Sequence, residues 1–201
     1  MTRSRCPLPA ITGGVLMLVA GADFGAETNR PPDWARKVDV AGVRNCFQVA
    51  SNLYRGAQPT AEGMAQLKAR GIRTIINLRA FHSDQDLVAG TGLKSVRFET
   101  EPWRGEGEDV VRFLKIVTDT NNLPAFVHCQ RGADRTGTMC AFYRITVCNW
   151  TKNEALAEMK NGGFGFNPLW KNLVDFIEKA DVEKIKRAAG ISPDAKMEPG
   201  R

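Results

Sequence analysis

Val127-His128-Cys129-Gln130-Arg131-Gly132-Ala133-Asp134-Arg135-Thr136-Gly137 is the stretch on which the reading of this chain turns. Before it, Pro124-Ala125-Phe126-Val127-His128 is a short apolar run that follows a proline and predicts a buried strand. After it, Met139, Phe142, Tyr143 and Val147 recur at helical spacing and predict a helix over Thr136–Trp150. A loop between a strand and a helix directs successive backbone N–H groups, and the positive end of the helix dipole, at one spot, which is an anion site. Gln130, Arg131, Gly132 and Ala133 line that loop, and Gly132 supplies the backbone freedom of a tight turn. Arg135 places a two-pronged donor there that Lys cannot copy. A free thiol titrates near 8.5, and a helix N-terminus with nearby Arg lowers that by several units. Cys129 is therefore expected to be an activated nucleophile held against the bound anion. The Thr136 hydroxyl is placed to serve the sulfur, and His128 to brace the loop by hydrogen bonds. Arg131 reads equally as a substrate contact and as a solvated charge.

Outward from the loop, strands and helices alternate. Phe47–Ala50 and Leu53–Arg55 read as two short strands around a Ser51-Asn52 turn. Thr60 is a helix N-cap, with Met64 and Leu67 on the apolar face and Gly71 as the stop. Ile72–Leu78 reads as a buried strand, Ser83–Gly90 as a short helix, and Ser95–Glu99 as an alternating strand. Val110, Phe113, Leu114 and Val117 form one stripe of a helix over Asp109–Thr118. Thr151 with Glu154 three residues on is a capping box opening a helix to Lys160, and a last helix is expected over Leu169–Ala189. The expected fold is α/β, a single domain with a central, mostly parallel sheet flanked by helices on both faces.

The pattern His128-Cys129, five residues, Arg135-Thr136 resembles the signature of cysteine-dependent protein tyrosine and dual-specificity phosphatases. The resemblance extends to Leu53-Tyr54-Arg55-Gly56-Ala57-Gln58-Pro59, to Ile75-Ile76-Asn77-Leu78-Arg79 and to Gly162-Gly163-Phe164-Gly165-Phe166, and it spans about Phe47 to Glu178. It implies the dual-specificity phosphatase-like fold and phosphomonoester hydrolysis through a cysteinyl-phosphate on Cys129, with Arg135 binding the phosphate. It also implies a general acid for the leaving oxygen. In most relatives this is an Asp on a separate loop before the signature strand, but here that loop, Glu99 to Glu106, holds no Asp. Two candidates stand: Asp134, inside the loop immediately before Arg135, as in myotubularin-like enzymes, and Glu101 on the separate loop. The implied substrate is a phosphorylated protein, or alternatively a phosphoinositide or inositol phosphate. An inactive phosphate-binding module and a rhodanese-like sulfurtransferase are the readings from other classes, and the intact Cys129–Arg135-Thr136-Gly137 pattern opposes both.

Composition narrows the rest. In 201 residues, 43% hydrophobic and 25% charged, there is room for one globular domain plus ends. A net charge of +6 suits an anionic ligand and is too small to imply nucleic acid. Two His and no His/Cys cluster at ligand spacing leave no metal site, and no cofactor is implied. Arg3 and Arg5, the apolar Val15–Ala20 and the small Ala20-Gly21-Ala22 form a secretory signal layout, too short for a membrane span. Residues 1–22 are thus expected to be a signal peptide, 23–45 a lead-in, 46–190 the phosphatase domain and 191–201 a flexible tail. The mature protein would be periplasmic or secreted, without stable membrane insertion. In an oxidising compartment Cys46 and Cys148 are candidates for a disulfide.

Overall fold

The computed structural model describes residues 30–98 and 107–192. Six strands form one sheet in the order β1-β2-β3-β6-β4-β5. They are β1 (Arg36–Lys37), β2 (Phe47–Ala50), β3 (Leu53–Gly56), β4 (Thr74–Asn77), β5 (Lys94–Arg97) and β6 (Ala125–His128). β3, β6, β4 and β5 run parallel, while β1 and β2 add an antiparallel edge. In register, His128 sits opposite Gly56 on one side and opposite Asn77 on the other. Three neighbouring strands therefore release the chain at one level, at Ala57, Leu78 and Cys129. The carboxyl edge of a parallel sheet is where such folds place ligands.

Side chains alternate across the strands, as a pleated sheet requires. Phe126 and Ile75 face a core with Met64, Leu67, Ile72 and Val88, beneath α1 (Ala61–Ala69) and α2 (Gln85–Val88). Ala125, Val127 and Ile76 face the opposite core, with Phe113, Leu114, Phe142 and Ile177. That core is covered by α3 (Gly107–Thr118), α4 (Asp134–Thr146), α5 (Lys152–Asn161), α6 (Lys171–Lys179) and α7 (Val182–Ala189). Helices on both faces of a mostly parallel sheet are what the strand–helix alternation implies. Burying each such aliphatic or aromatic side chain contributes on the order of 2 kcal/mol.

The helix caps match their sequence signals. Thr60 Oγ1 accepts from Gly63 N at 3.1 Å, and Thr151 and Glu154 form the reciprocal capping box. Elsewhere the structure corrects the sequence-based expectation. The C-terminal helix is two helices, α6 and α7: the chain turns extended at Ala180, and Asp181 Oδ1 caps α7 by accepting from Lys184 N at 2.9 Å. α4 begins two residues before Thr136 and ends at Thr146 rather than Trp150, where Asn149 takes a φ of 55°. The segment 23–45 is more than a lead-in over its described part, since β1 pairs with β2 and Ala35 N donates to Glu158 Oε1 at 2.6 Å. Glu158 in turn takes two hydrogen bonds from Arg144, at 2.8 and 2.7 Å. Cys46 is a free, buried thiol, so the expected Cys46–Cys148 pairing is not formed. The signal segment 1–22, residues 193–201 of the tail, and Glu101 lie outside the described residues.

Candidate active site

Cys129 follows β6 directly, and Asp134 opens α4, so residues 129–135 form a turn wedged between the sheet edge and a helix N-terminus. Gly132 adopts a φ of 71°, a left-handed conformation that glycine takes without strain. Its position is also closed to any side chain: a Cβ there would land on the Gly56 carbonyl and lie 2.6 Å from Ala57 N. The turn is thus pressed against the end of β3. Arg55 of β3, buried to 1% exposure, holds it from below, with Nη2 donating to Gly132 O at 2.7 Å and to Ala133 O at 3.3 Å. The Arg55 guanidinium is itself sandwiched by the Phe164 ring, 3.8 Å from its centroid. Asn45 Nδ2 donates to both Arg131 O and Phe164 O at 2.9 Å, tying the outer side of the turn to the 162–167 segment.

On the other flank, Arg135 Nη1 donates to Leu78 O at 2.6 Å, which lays its guanidinium along the exit of β4. Arg79 lies within electrostatic reach of Arg135, Asp84 and Cys129. Burial and the Arg135 charge lower Arg79 below the ordinary arginine range. Arg79 Nη1 donates to Gln58 Oε1 at 3.0 Å, and Gln58 Nε2 donates to Asp84 Oδ1 at 2.8 Å. Asp84 Oδ2 lies 2.9 Å from His128 Nε2, with both side chains fully buried. Burial alone would raise the Asp84 carboxyl, but the His128 hydrogen bond and charge, with the Gln58 amide, outweigh it and hold Asp84 below the usual carboxylate range.

The residues singled out from the sequence occupy distinct surroundings. Gln130 and Arg131 are exposed, Gly132 and Ala133 are buried, and Asp134 and Arg135 are half-buried. Cys129 is free and 4% exposed. The Thr136 hydroxyl, in the first turn of α4, is buried without a hydrogen-bond partner. Asp134 Oδ1 accepts from Asn167 N at 2.8 Å, which anchors the 162–167 segment at the loop. Burial pushes two other free thiols, Cys46 and Cys140, up to about 11, so neither is ionised at neutral pH. Among the described residues no group of three metal-ligating side chains converges, and no helix is long and apolar enough to cross a membrane.

Arg55, Gln58, Arg79 and Asp84 belong to the site, yet sequence reading assigned none of them a role. A charged residue inside the otherwise apolar β3 was the available signal for Arg55, since buried charges are rare unless paired.

The family model described as a DSP-PTPase phosphatase fused to NAD+ kinase matches residues 32–172, most of the chain and all of the loop just described. The chain belongs to the DSP-PTPase phosphatases. As a member it is a cysteine-dependent phosphatase. It is 32% identical to the dual specificity protein phosphatase TpbA of Pseudomonas aeruginosa over 190 residues, covering 92% of this chain and 84% of TpbA. It is 28% identical to inositol diphosphatase DSP3 of Arabidopsis thaliana, covering 74% and 75% of the two chains. Among solved DSP-type structures, a TpbA variant in complex with phosphotyrosine superposes with a TM-score of 0.72 at 28% identity, covering 81% of this chain and 99% of that one. The catalytic core of the phosphatase SIW14 of Saccharomyces cerevisiae superposes with a TM-score of 0.66 at 25% identity, covering 76% and 94%.

Proposed function

We propose that this DSP-PTPase phosphatase hydrolyses phosphate monoesters of polypeptide side chains, phosphotyrosine foremost, through a cysteinyl-phosphate on Cys129. The observation that carries the reading is the framed loop: Cys129 at the end of β6, Arg135 donating to the Leu78 carbonyl, and a turn that leads directly into the N-terminus of α4. Cys129 Sγ attacks phosphorus as the thiolate, in line with the leaving oxygen. Arg135 and the N–H groups of Gln130 to Asp134 hold the equatorial oxygens, whose charge grows in the transition state. Asp134 protonates the leaving oxygen. Water then cleaves the S–P bond, with Asp134 taking its proton back, and the unpartnered Thr136 hydroxyl donates to the departing sulfur.

Two exposed apolar side chains favour a polypeptide substrate. Phe81 is 93% exposed on the loop that leaves β4 past Arg135, and Leu169 is 84% exposed two residues beyond the Asp134 anchor at Asn167. The second reading, an inositol phosphate or diphosphate, is favoured by the exposed Arg131 on the loop and by the inositol diphosphatase relatives. The purified chain should release phosphate fastest, by kcat/KM, from a phosphotyrosine peptide, with phosphothreonine peptide, phosphoinositide and inositol diphosphate below it. A preference for inositol diphosphate would install the second reading, and no release from any of the four would overturn both.

We also propose that the protein works outside the cytoplasm, on the strength of the Arg3/Arg5, Val15–Ala20 and Ala20-Gly21-Ala22 layout. N-terminal sequencing of the protein from its native cell should find a terminus near Asp23 in the extracytoplasmic fraction. An intact Met1 terminus on cytoplasmic protein contradicts export.

A further inference from the structure

We infer that Arg79 is a specificity-determining residue: its guanidinium forms a second anion subsite beside the phosphate loop, for an acidic side chain next to the phosphotyrosine of a polypeptide substrate. This rests on the polypeptide reading above and deepens it by naming the flank that is recognised.

The topology puts Arg79 where such a group would lie. The strand order β3-β6-β4 sets the exits of β3 and β4 on either side of the exit of β6, where Cys129 stands. Gln58 lies two residues beyond β3 and Arg79 two residues beyond β4, so the 3.0 Å bond from Arg79 Nη1 to Gln58 Oε1 bridges the end of the nucleophile's strand. Both ends of the bridge are held. Gln58 N donates to Gln130 O at 3.4 Å, and Gln58 Nε2 to Asp84 Oδ1 at 2.8 Å. Arg79 N donates to Oδ1 of the fully buried Asn77 at 2.9 Å, and Asn77 Nδ2 donates to His82 O at 2.9 Å across the loop. A half-buried arginine held in this way binds an anion without first ordering its long side chain.

Among the described residues only Nη1 of Arg79 is bonded; Nε and Nη2 have no partner there, and no carboxylate lies in ion-pair range of the guanidinium. Asp84, the acid within electrostatic reach, is taken up by His128 and Gln58. Arg135 adds a like charge, which a bound anion offsets. A phosphate in the turn does not need Arg79. Its three equatorial oxygens are met by the turn amides and the Arg135 fork, whereas Arg79 belongs to a different loop. The open donors are left for the next anionic group of the substrate. Phe81, 93% exposed two residues further along the same loop, favours a polypeptide carrier over a compact inositol ring, since it offers apolar surface beyond the cation.

Calorimetry on Cys129→Ser measures the subsite without turnover. A phosphotyrosine peptide with Glu on both sides of the phosphotyrosine should bind about tenfold more tightly than the same peptide with Ala, the order expected of a charge-assisted, two-pronged contact. Arg79→Gln in that background should erase the difference by weakening the Glu peptide. Should Arg79→Gln fail to fold, Arg79→Lys keeps the charge and loses the fork, and should retain only part of the preference. In the active protein the same preference should appear in KM rather than in kcat. No preference in Cys129→Ser, or an undiminished preference in either folded Arg79 variant, overturns the subsite. Equal weakening of both peptides in Arg79→Gln also overturns it, by making Arg79 a holder of the scissile phosphate. Inositol diphosphate that loses affinity in Arg79→Gln while neither peptide does overturns the assignment to a polypeptide. Wild-type protein that hydrolyses neither peptide, with the binding preference intact in Cys129→Ser, would count against the cysteinyl-phosphate reading and leave the subsite standing.

Discussion

Cys129→Ser is expected to abolish turnover of a phosphotyrosine peptide, a fall of roughly 10⁴-fold or more on the scale of removing an enzyme's nucleophile. A serine hydroxyl in this turn is not ionised at neutral pH, and His128 Nε2 is committed to Asp84 rather than to the nucleophile. Phosphate binding should survive, because the anion is held by the turn amides, the α4 N-terminus and Arg135 rather than by sulfur. Calorimetry with inorganic phosphate or tungstate reads this directly. The complementary variant, Arg135→Lys, should lose most activity with the thiol intact, since one point charge does not replace a planar fork already aligned by the Leu78 carbonyl. Turnover near wild type in either variant contradicts the assignment.

The second large effect concerns the proton given to the leaving oxygen. Asp134→Asn retains the Oδ1 acceptor for Asn167 N, so the 162–167 segment stays anchored and only the transferable proton is lost. Hydrolysis of a phosphoserine peptide, a poor leaving group, should slow by about 10²–10⁴-fold, the usual worth of general acid catalysis. An activated aryl phosphate should slow far less, because its phenolate departs unaided. Glu101→Gln is the matched control, and the measured quantity is the slope of kcat against leaving-group pKa. A steepened slope in Glu101→Gln with an unchanged slope in Asp134→Asn would assign the acid to the separate loop instead.

What the sequence revealed and what it hid divide along chain distance. The strand, the turn and the presence of α4, though not its bounds, were legible because Pro124, Gly132 and the apolar spacing after Thr136 are local signals. So were the Thr60 and Thr151 caps, each of which bonds three residues along its own chain. The bracing of the turn was not legible, because it comes from elsewhere in the chain. Arg55 reaches Gly132 across 77 residues and His128 reaches Asp84 across 44, and only the parallel register of β3, β6 and β4 brings them together. The split of the last helix was hidden for a different reason. Leu173, Ile177, Ile185 and Ala189 keep one apolar face through the break, so periodicity runs on past Ala180. The Asp181 cap carried the missing signal.

The depressed Asp84 carboxyl also sets a direction for stability. Its contribution is present above its unfolded value, near 3.9, and is lost as pH falls through the lower folded value. Acid should therefore loosen the site from behind Cys129.

The central claim is that phosphate passes through sulfur on Cys129. The most direct measurement is rapid-quench mass spectrometry of the reduced wild-type protein during turnover of an aryl phosphate, followed by peptide mapping. A phosphate-mass adduct should form before steady state on Cys129 and be absent from Cys129→Ser. Turnover without an adduct there, or an adduct on another residue, would contradict the account.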